Sequence, residues 1–105
     1  MTRPANIARG EASLAVGGET LLLRPSFAAL VAAEEELGPL FALVERAADG
    51  QLRLSEVAAL FWHCAAEPPE GCTRERLGQA IADLGLARAT PVLRMLLTQI
   101  LQGRV

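Results

Sequence analysis

The sequence predicts an α+β fold that is mostly helical, with an N-terminal two-stranded antiparallel β-hairpin followed by about five short α-helices. Apolar and polar residues alternate from Glu11, which is the pattern of a half-buried strand. The pair Gly17–Gly18 follows, and two glycines supply the positive φ angles of a two-residue hairpin turn. After Pro25 the apolar residues recur at helical spacing, in segments bounded by capping residues, glycines and prolines.

The length and composition predict one domain. The chain has 105 residues, of which 51% are hydrophobic and 21% charged, so it is globular and holds a single core. We predict a flexible arm over residues 1–10 and a single domain over residues 11–105. Within the domain, the hairpin occupies residues 11–24 and the helices residues 26–105.

The two predicted strands each place one side against the core. In the first strand Ala12, Leu14 and Val16 share one side. The second strand runs from Thr20 to Arg24, and it is expected to place Leu21 and Leu23 inward and Leu22 outward. A lone hairpin is marginally stable in water, so helices are expected to cover its apolar face.

The first helix begins after Ser26, a suitable N-cap, and ends at Gly38. Its predicted inward residues are Phe27, Leu30, Val31 and Leu37. Glu34 falls at the centre of that side. A buried carboxylate must be paired or protonated, so we predict a structural ion pair between Glu34 and Arg24.

Four further helices follow from their end signals. The second helix begins at Pro39 and ends at Asp49–Gly50, and the third begins after Ser55. The fourth begins after Thr73 and ends at Gly85, and the fifth begins at Thr90–Pro91 and ends at Gln102. The third helix has the most regular apolar side: Val57, Leu60, Phe61 and Cys64. Residues 67–71, with the sequence EPPEG, are expected to form a surface loop.

Residues 45–56 partly resemble the calcium loop of an EF-hand. Gly50 occupies the position of the turn glycine, and Glu56 that of the closing acid. Ala47 and Arg53 stand where oxygen ligands are required. A helix end followed by a new helix explains the same residues, so a degenerate calcium-binding module is a remote alternative.

No catalytic site or cofactor site is predicted. His63, Cys64 and Cys72 are the only soft metal ligands in the chain, and they are too few for a structural zinc site. There is no glycine-rich phosphate loop, no serine nucleophile motif and no second histidine. The sequence therefore predicts a protein that is not an enzyme and binds no cofactor or metal.

The charge pattern limits the partners. A net charge of −2 and a pI near 5.4 argue against nucleic acid as a partner, which usually requires a basic surface. No apolar run is long enough to cross a membrane, and no secretory signal is apparent. We predict free thiols and a cytoplasmic location in the producing bacterium.

Protein partners are favoured by two features of the second half. Trp62 faces away from the apolar side of its helix by about 140°, and the last helix has a wider apolar surface than one core contact requires. The predicted partner-binding residues are Trp62, Val92, Met95, Leu96 and Ile100. The alternative for Trp62 is that it covers the hairpin or the loop at residues 67–72.

The order and spacing of several short motifs resemble a known family. The motifs are Arg9–Gly10, Gly17–Gly18, the Leu21–Arg24 strand, Glu34–Gly38 and the Gly50–Leu52 step. This pattern resembles gene transfer agent proteins related to phage tail assembly chaperones, which are also described as phage tail tube proteins. They belong to tail gene clusters of alphaproteobacterial gene transfer agents and related phages or prophages.

The resemblance implies a role in tail assembly through protein binding. Of the two roles, the single predicted hairpin favours an assembly chaperone that binds the tape-measure protein and other tail proteins, and that self-associates as an oligomer. The alternative is a structural tail tube subunit, which would reside in the particle.

Overall fold

The computed structural model describes residues 12–16 and 18–103. Their elements are β1 Ala12–Val16, β2 Glu19–Leu23, α1 Phe27–Leu37, α2 Leu40–Ala48, α3 Leu54–Cys64, β3 Ala65–Ala66, α4 Arg74–Leu84 and α5 Leu86–Gln102. The α+β, mostly helical fold is therefore confirmed, with a sheet of one more strand than expected. The expected arm at residues 1–10, the motif Arg9–Gly10 and the expected strand start at Glu11 lie outside the described residues.

The hairpin is antiparallel and in register from Ala12↔Leu23 to Val16↔Glu19. At its turn Gly18 has φ +84°, the left-handed conformation that glycine adopts without strain. Strand β2 begins one residue earlier than expected. Leu22 is buried rather than exposed on the outer face, which corrects the expected inward and outward assignment of this strand.

The short strand β3 was not predicted, and it pairs antiparallel with β2 through Leu22↔Ala66 and Leu23↔Ala65. It follows α3 directly, and the backbone N–H of Arg24 donates to the carbonyl of Cys64 at 2.7 Å. Two alanines carry no strand signal of their own. The hydrogen bonds to β2 therefore account for the strand.

Helix α1 has the predicted ends but a different buried side. The Ser26 hydroxyl accepts from the N–H of Ala29 at 3.2 Å, and Gly38 ends the helix with φ +88°. The buried residues are Ala29 and Ala33, whereas Phe27 is 84% exposed. Small side chains let α1 approach α3 closely. Of the expected inward side, Leu30 and Leu37 are half-buried and pack against the core, whereas Phe27 and Val31 are turned outward.

Helix α3 supplies the centre of the core. Its residues Val57, Ala58, Ala59, Leu60, Phe61 and Cys64 are buried, which confirms the predicted apolar side. The helix begins after Arg53 rather than Ser55, because the Glu56 carboxylate accepts from the N–H of Arg53 at 3.0 Å. A carboxylate at this position satisfies one of the free N–H groups of the first turn.

The last two helices complete the cover of the sheet. Thr73 caps α4 as predicted, accepting from the N–H of Arg76 at 3.1 Å. Helix α5 begins at Leu86 rather than after Thr90, and it continues through Pro91 in its second turn. Pro91 has no N–H to donate to the carbonyl of Ala87, so the helix forgoes one hydrogen bond there.

A charged cluster joins α1, α3 and α4 at the surface. The Glu36 carboxylate lies 2.8 Å from Nε2 of His63 and accepts from Nη1 of Arg74 at 2.9 Å. A second contact joins Nη2 of Arg74 to the other carboxylate oxygen. The hydrogen bonds from Arg74 and then His63 lower the pKa of Glu36 from 4.5 to about 2.

This cluster predicts an acid-sensitive contribution to stability. A carboxyl whose pKa is lowered on folding stabilises the folded state above its unfolded pKa and loses that contribution as the pH falls. Glu36→Gln should therefore lower the free energy of unfolding at neutral pH by less than about 1 kcal/mol, because the pair is partly exposed. We expect this deficit to disappear between about pH 5 and about pH 2.

Urea denaturation at several pH values measures this deficit. Glu35→Gln is the matched control, since Glu35 is an exposed neighbour on the same helix, and its effect should be small across the range. A Glu36→Gln deficit that does not change with pH would contradict the assigned role of the cluster.

Candidate partner-binding surface

Several large apolar side chains are exposed in the described part of the chain. Phe27 is 84% exposed, Phe41 77% and Leu101 55%. The others are Val31, Leu54, Leu86 and Met95. Single exposed apolar residues are normal, so the informative question is which of them lie together.

The residues predicted to bind a partner lie mostly in or against the core. Leu96 is fully buried, so its predicted place on a binding surface is wrong. Trp62, Val92 and Ile100 are half-buried and pack against the core. The alternative that Trp62 covers the hairpin or the loop at residues 67–72 stays a prediction. Met95 is 37% exposed.

Phe41 was missed, although the sequence contained a signal for it. The predicted inward side of its helix comprises Leu40, Leu43, Val44 and Ala47, and only Leu43 is fully buried. Phe41 lies about 100° around the helix from Leu40. A phenylalanine outside the apolar side of its own helix is a reasonable sign of a contact surface.

An open apolar groove separates α2 from α5, and we call it the α2–α5 groove. Its larger cavity, about 380 Å³, is lined by Val44, Ala47, Ala48, Thr90, Leu93, Arg94, Leu97, Thr98, Leu101 and Gln102. A smaller cavity of about 180 Å³ continues it and is lined by Glu34, Leu40, Phe41, Val44, Ile100 and Leu101. Val44 and Leu101 are shared by both, so the two cavities form one groove.

The two helices run in opposite directions along the groove. The start of α2, at Phe41, faces the end of α5, at Leu101. The end of α2, at Ala48, faces the stretch of α5 that begins at Thr90. From Thr90 to Leu101 the groove is about 16 Å long at 1.5 Å per residue.

Each end of the groove carries one charged side chain of opposite sign. Glu34 lines the end near Phe41, and Arg94 lines the other cavity. Glu34 is exposed, which corrects the expectation that it sits at the centre of an inward-facing side. Its carboxylate accepts from the N–H of Leu40 at 3.1 Å and so caps α2, while its predicted ion pair with Arg24 stays a prediction.

A larger cavity lies elsewhere, between the end of the hairpin, residues 69–72 and α4. It measures about 660 Å³, and its lining includes Glu19, Arg76, Asp83 and Arg88. Charges of both signs line it, together with apolar residues such as Val16, Ala80 and Leu84. This mixture indicates no particular class of ligand, so the α2–α5 groove is the better candidate for a partner.

The segment that partly resembled a calcium loop is held by protein contacts. Glu56 forms an ion pair with Arg46 at 2.6 Å and also accepts from the N–H of Arg53. These contacts lower the pKa of Glu56, first through the Arg53 hydrogen bond and then through Arg46. The acid that would close a calcium loop therefore joins α2 to α3.

The cysteine thiols and acidic groups form no recognisable reactive centre in the described ranges. Cys64 and Cys72 are free, and burial raises the pKa of the Cys64 thiol to about 12. A thiol of that pKa is protonated at neutral pH and is a poor nucleophile. Among residues 12–16 and 18–103, no group of three or more histidine, cysteine, aspartate or glutamate side chains could hold a metal ion.

None of the helices described is both long enough and apolar enough to span a membrane. Helix α5 has 17 residues and includes Arg88 and Arg94. Several of its apolar residues pack against the core or line the α2–α5 groove, whereas Leu86 and Met95 are exposed.

Comparison with known proteins identifies one family. A family model described as "Phage tail tube protein, GTA-gp10" matches residues 9–103. No curated protein sequence matches the chain significantly. No solved structure matches it significantly either.

The placement of two neighbours on α5 gives a direct test of which residues face the core. Leu96→Ala should lower the free energy of unfolding by about 2–5 kcal/mol, because it leaves a cavity in a fully packed site. Met95→Ala should cost less than about 1 kcal/mol, since a partly exposed side chain leaves little cavity. Urea denaturation of both variants measures the two losses, and equal losses would contradict this orientation of α5.

Proposed function

The chain belongs to the GTA-gp10 phage tail tube protein family, since the family model covers residues 9–103, and we propose from this that it is a structural subunit of a phage-type tail. The family match is the observation that carries the proposal. Membership gives the chain a role in a phage tail and implies protein partners, either other tail proteins or further copies of itself.

The surface of the protein supports a role in assembly. Phe27 and Phe41 are the most exposed large apolar side chains described, and Leu101 is also exposed. Exposed apolar groups are stabilised when a partner covers them. The α2–α5 groove offers a concave site next to two of them. A subunit that works inside an assembly needs such surfaces.

A tail assembly chaperone is the second candidate, and the fold favours it. The sheet has three strands of five, five and two residues, which is little for a subunit expected to stack in a β-rich tube. A chaperone would instead use its apolar helix surfaces to bind the tape-measure protein before the tube forms.

Neither role requires catalysis, and we propose that the protein is not an enzyme. The buried, protonated thiol of Cys64 and the absence of a metal-ligand group in the described part of the chain are consistent with this. Both roles begin in the cytoplasm of the producing bacterium, where tail proteins are made. Only the structural subunit remains in the finished particle.

Quantifying the protein in purified particles tests the proposal. We expect the chain to be present in many copies per particle when its peptides are measured by mass spectrometry against the major capsid protein. Removing its gene should abolish full-length tails. If the tails still form without it, the structural role is excluded.

The same preparation separates the two candidates. A chaperone would be missing from the particle, and it would co-purify with the tape-measure protein and keep that protein soluble on co-expression. A protein that is missing from particles and does not bind the tape-measure protein would contradict both candidates.

A further inference from the structure

The α2–α5 groove is open because neither of its helices is firmly buried. Helix α2 has one buried residue, Leu43, in nine, and α5 has two, Ala89 and Leu96, in 17. Apolar residues line the space between the helices along its length. The groove is therefore a surface that gains stability when another apolar surface fills it.

The two ends of the groove differ in side-chain size. At one end Phe41 projects with 77% of its surface exposed. At the other end the larger cavity is bordered on α2 by Ala47 and Ala48, which leave room for a bulky side chain. If a second copy lies on the groove in the reversed direction, the large side chain of each copy meets the space of the other.

The charges of the two ends are complementary in the same way. Glu34 lies at the Phe41 end, and Arg94 lies at the end with the alanines. About 10 Å of helix separates Arg94 from Leu101, the neighbour of Glu34 in the groove. Both side chains are exposed, and Glu34 accepts from the N–H of Leu40 through only one of its carboxylate oxygens, so a guanidinium of a second molecule can approach the other oxygen.

We propose that the α2–α5 groove is the contact surface between two copies of this chain, related by a two-fold axis that passes near Val44 and Leu97. In a two-fold contact, residue i of one copy meets residue j of the other, and j meets i. Phe41 of each copy then enters the cavity beside Ala47 and Ala48 of the other. Glu34 of each copy lies beside Arg94 of the other, which makes two equivalent ion pairs.

This inference rests on the proposed function, because it names a partner for the surface of a tail protein. It also makes a separate claim, since the purified chain should self-associate without any other tail component. Failure to enter particles would remove the structural role and leave the two-fold contact standing. A strictly monomeric chain found in particles would remove the two-fold contact and leave the tail role standing.

Sedimentation equilibrium of the purified full-length chain tests the contact. We expect a concentration-dependent monomer–dimer equilibrium for the unaltered protein. Phe41→Asp should raise the dimer dissociation constant at least about tenfold, because it removes a large apolar anchor and introduces a charge facing the cavity. Phe27→Asp is the matched control: Phe27 is an equally exposed phenylalanine that does not line the groove, and its dissociation constant should stay unchanged.

A charge exchange tests the pairing of Glu34 with Arg94. Glu34→Arg and Arg94→Glu should each weaken the dimer, because each places like charges together across the two-fold axis. The double variant should bind within about threefold of the unaltered protein, since the pairs are restored with opposite polarity. Loss of the hydrogen bond from the N–H of Leu40 affects Glu34→Arg and the double variant alike, so it cannot produce this recovery.

Three results would overturn the proposal. One is a monomer at all concentrations, including the case in which that monomer binds the tape-measure protein through the groove. Another is a dimer weakened equally by Phe41→Asp and Phe27→Asp. The third is a double charge variant as weak as the worse single variant, with circular dichroism showing that all variants are folded.

Discussion

The rest of the structure depends on the connection between α3 and the sheet. Six residues of α3 are buried, and its chain continues without a break into β3, which pairs with β2. The hydrogen bond from the N–H of Arg24 to the carbonyl of Cys64 closes the junction at 2.7 Å. These contacts fix the direction of α3 against the hairpin, and α1 and α4 then pack on its two sides.

The same arrangement explains where the free apolar surface lies. Once α1, α3 and α4 are placed, a domain of 105 residues has little core left for its other helices to cover. Helix α2 is tied to this centre mainly by Leu43 and by the Arg46–Glu56 ion pair. Leu40, Phe41 and Val44 line the α2–α5 groove, and Leu40 also packs against the core. The groove therefore lies between the two helices that the core buries least.

The sequence allowed some elements to be predicted and not others, for identifiable physical reasons. Local signals were sufficient where the structure depends only on residues close together in the sequence. Examples are the helix ends at Ser26, Gly38 and Thr73 and the apolar side of α3. The buried side of α1 could not be predicted from hydrophobicity, because close packing on α3 selected Ala29 and Ala33 over the larger Phe27. Strand β3 could not be predicted locally, because its partner β2 is separated from it by three helices along the chain. Pro91 indicated a helix start, whereas α5 in fact begins directly after Gly85, six residues earlier.

The binding surface was harder to predict than the fold. An apolar residue on α5 is consistent with the core or with the surface, and only the tertiary structure distinguishes Leu96 from Met95. Phe41 carried a usable signal because it lies off its own helix's apolar side. The groove itself has no signal in the sequence, since its lining comes from α1, α2 and α5 together. Glu34 shows the same dependence: it was expected inside the domain, and it instead caps α2 at the edge of the groove.

A two-fold contact limits the assemblies that the α2–α5 groove alone can form. Such a contact closes after two copies, so it cannot by itself produce a ring or a filament. A tail subunit that pairs through the α2–α5 groove must therefore reach other tail proteins through a second surface. Phe27 and Val31 lie one turn apart on α1, both exposed and neither lining the groove. Their side of α1 remains uncovered in the pair, which makes it the natural place for that second contact.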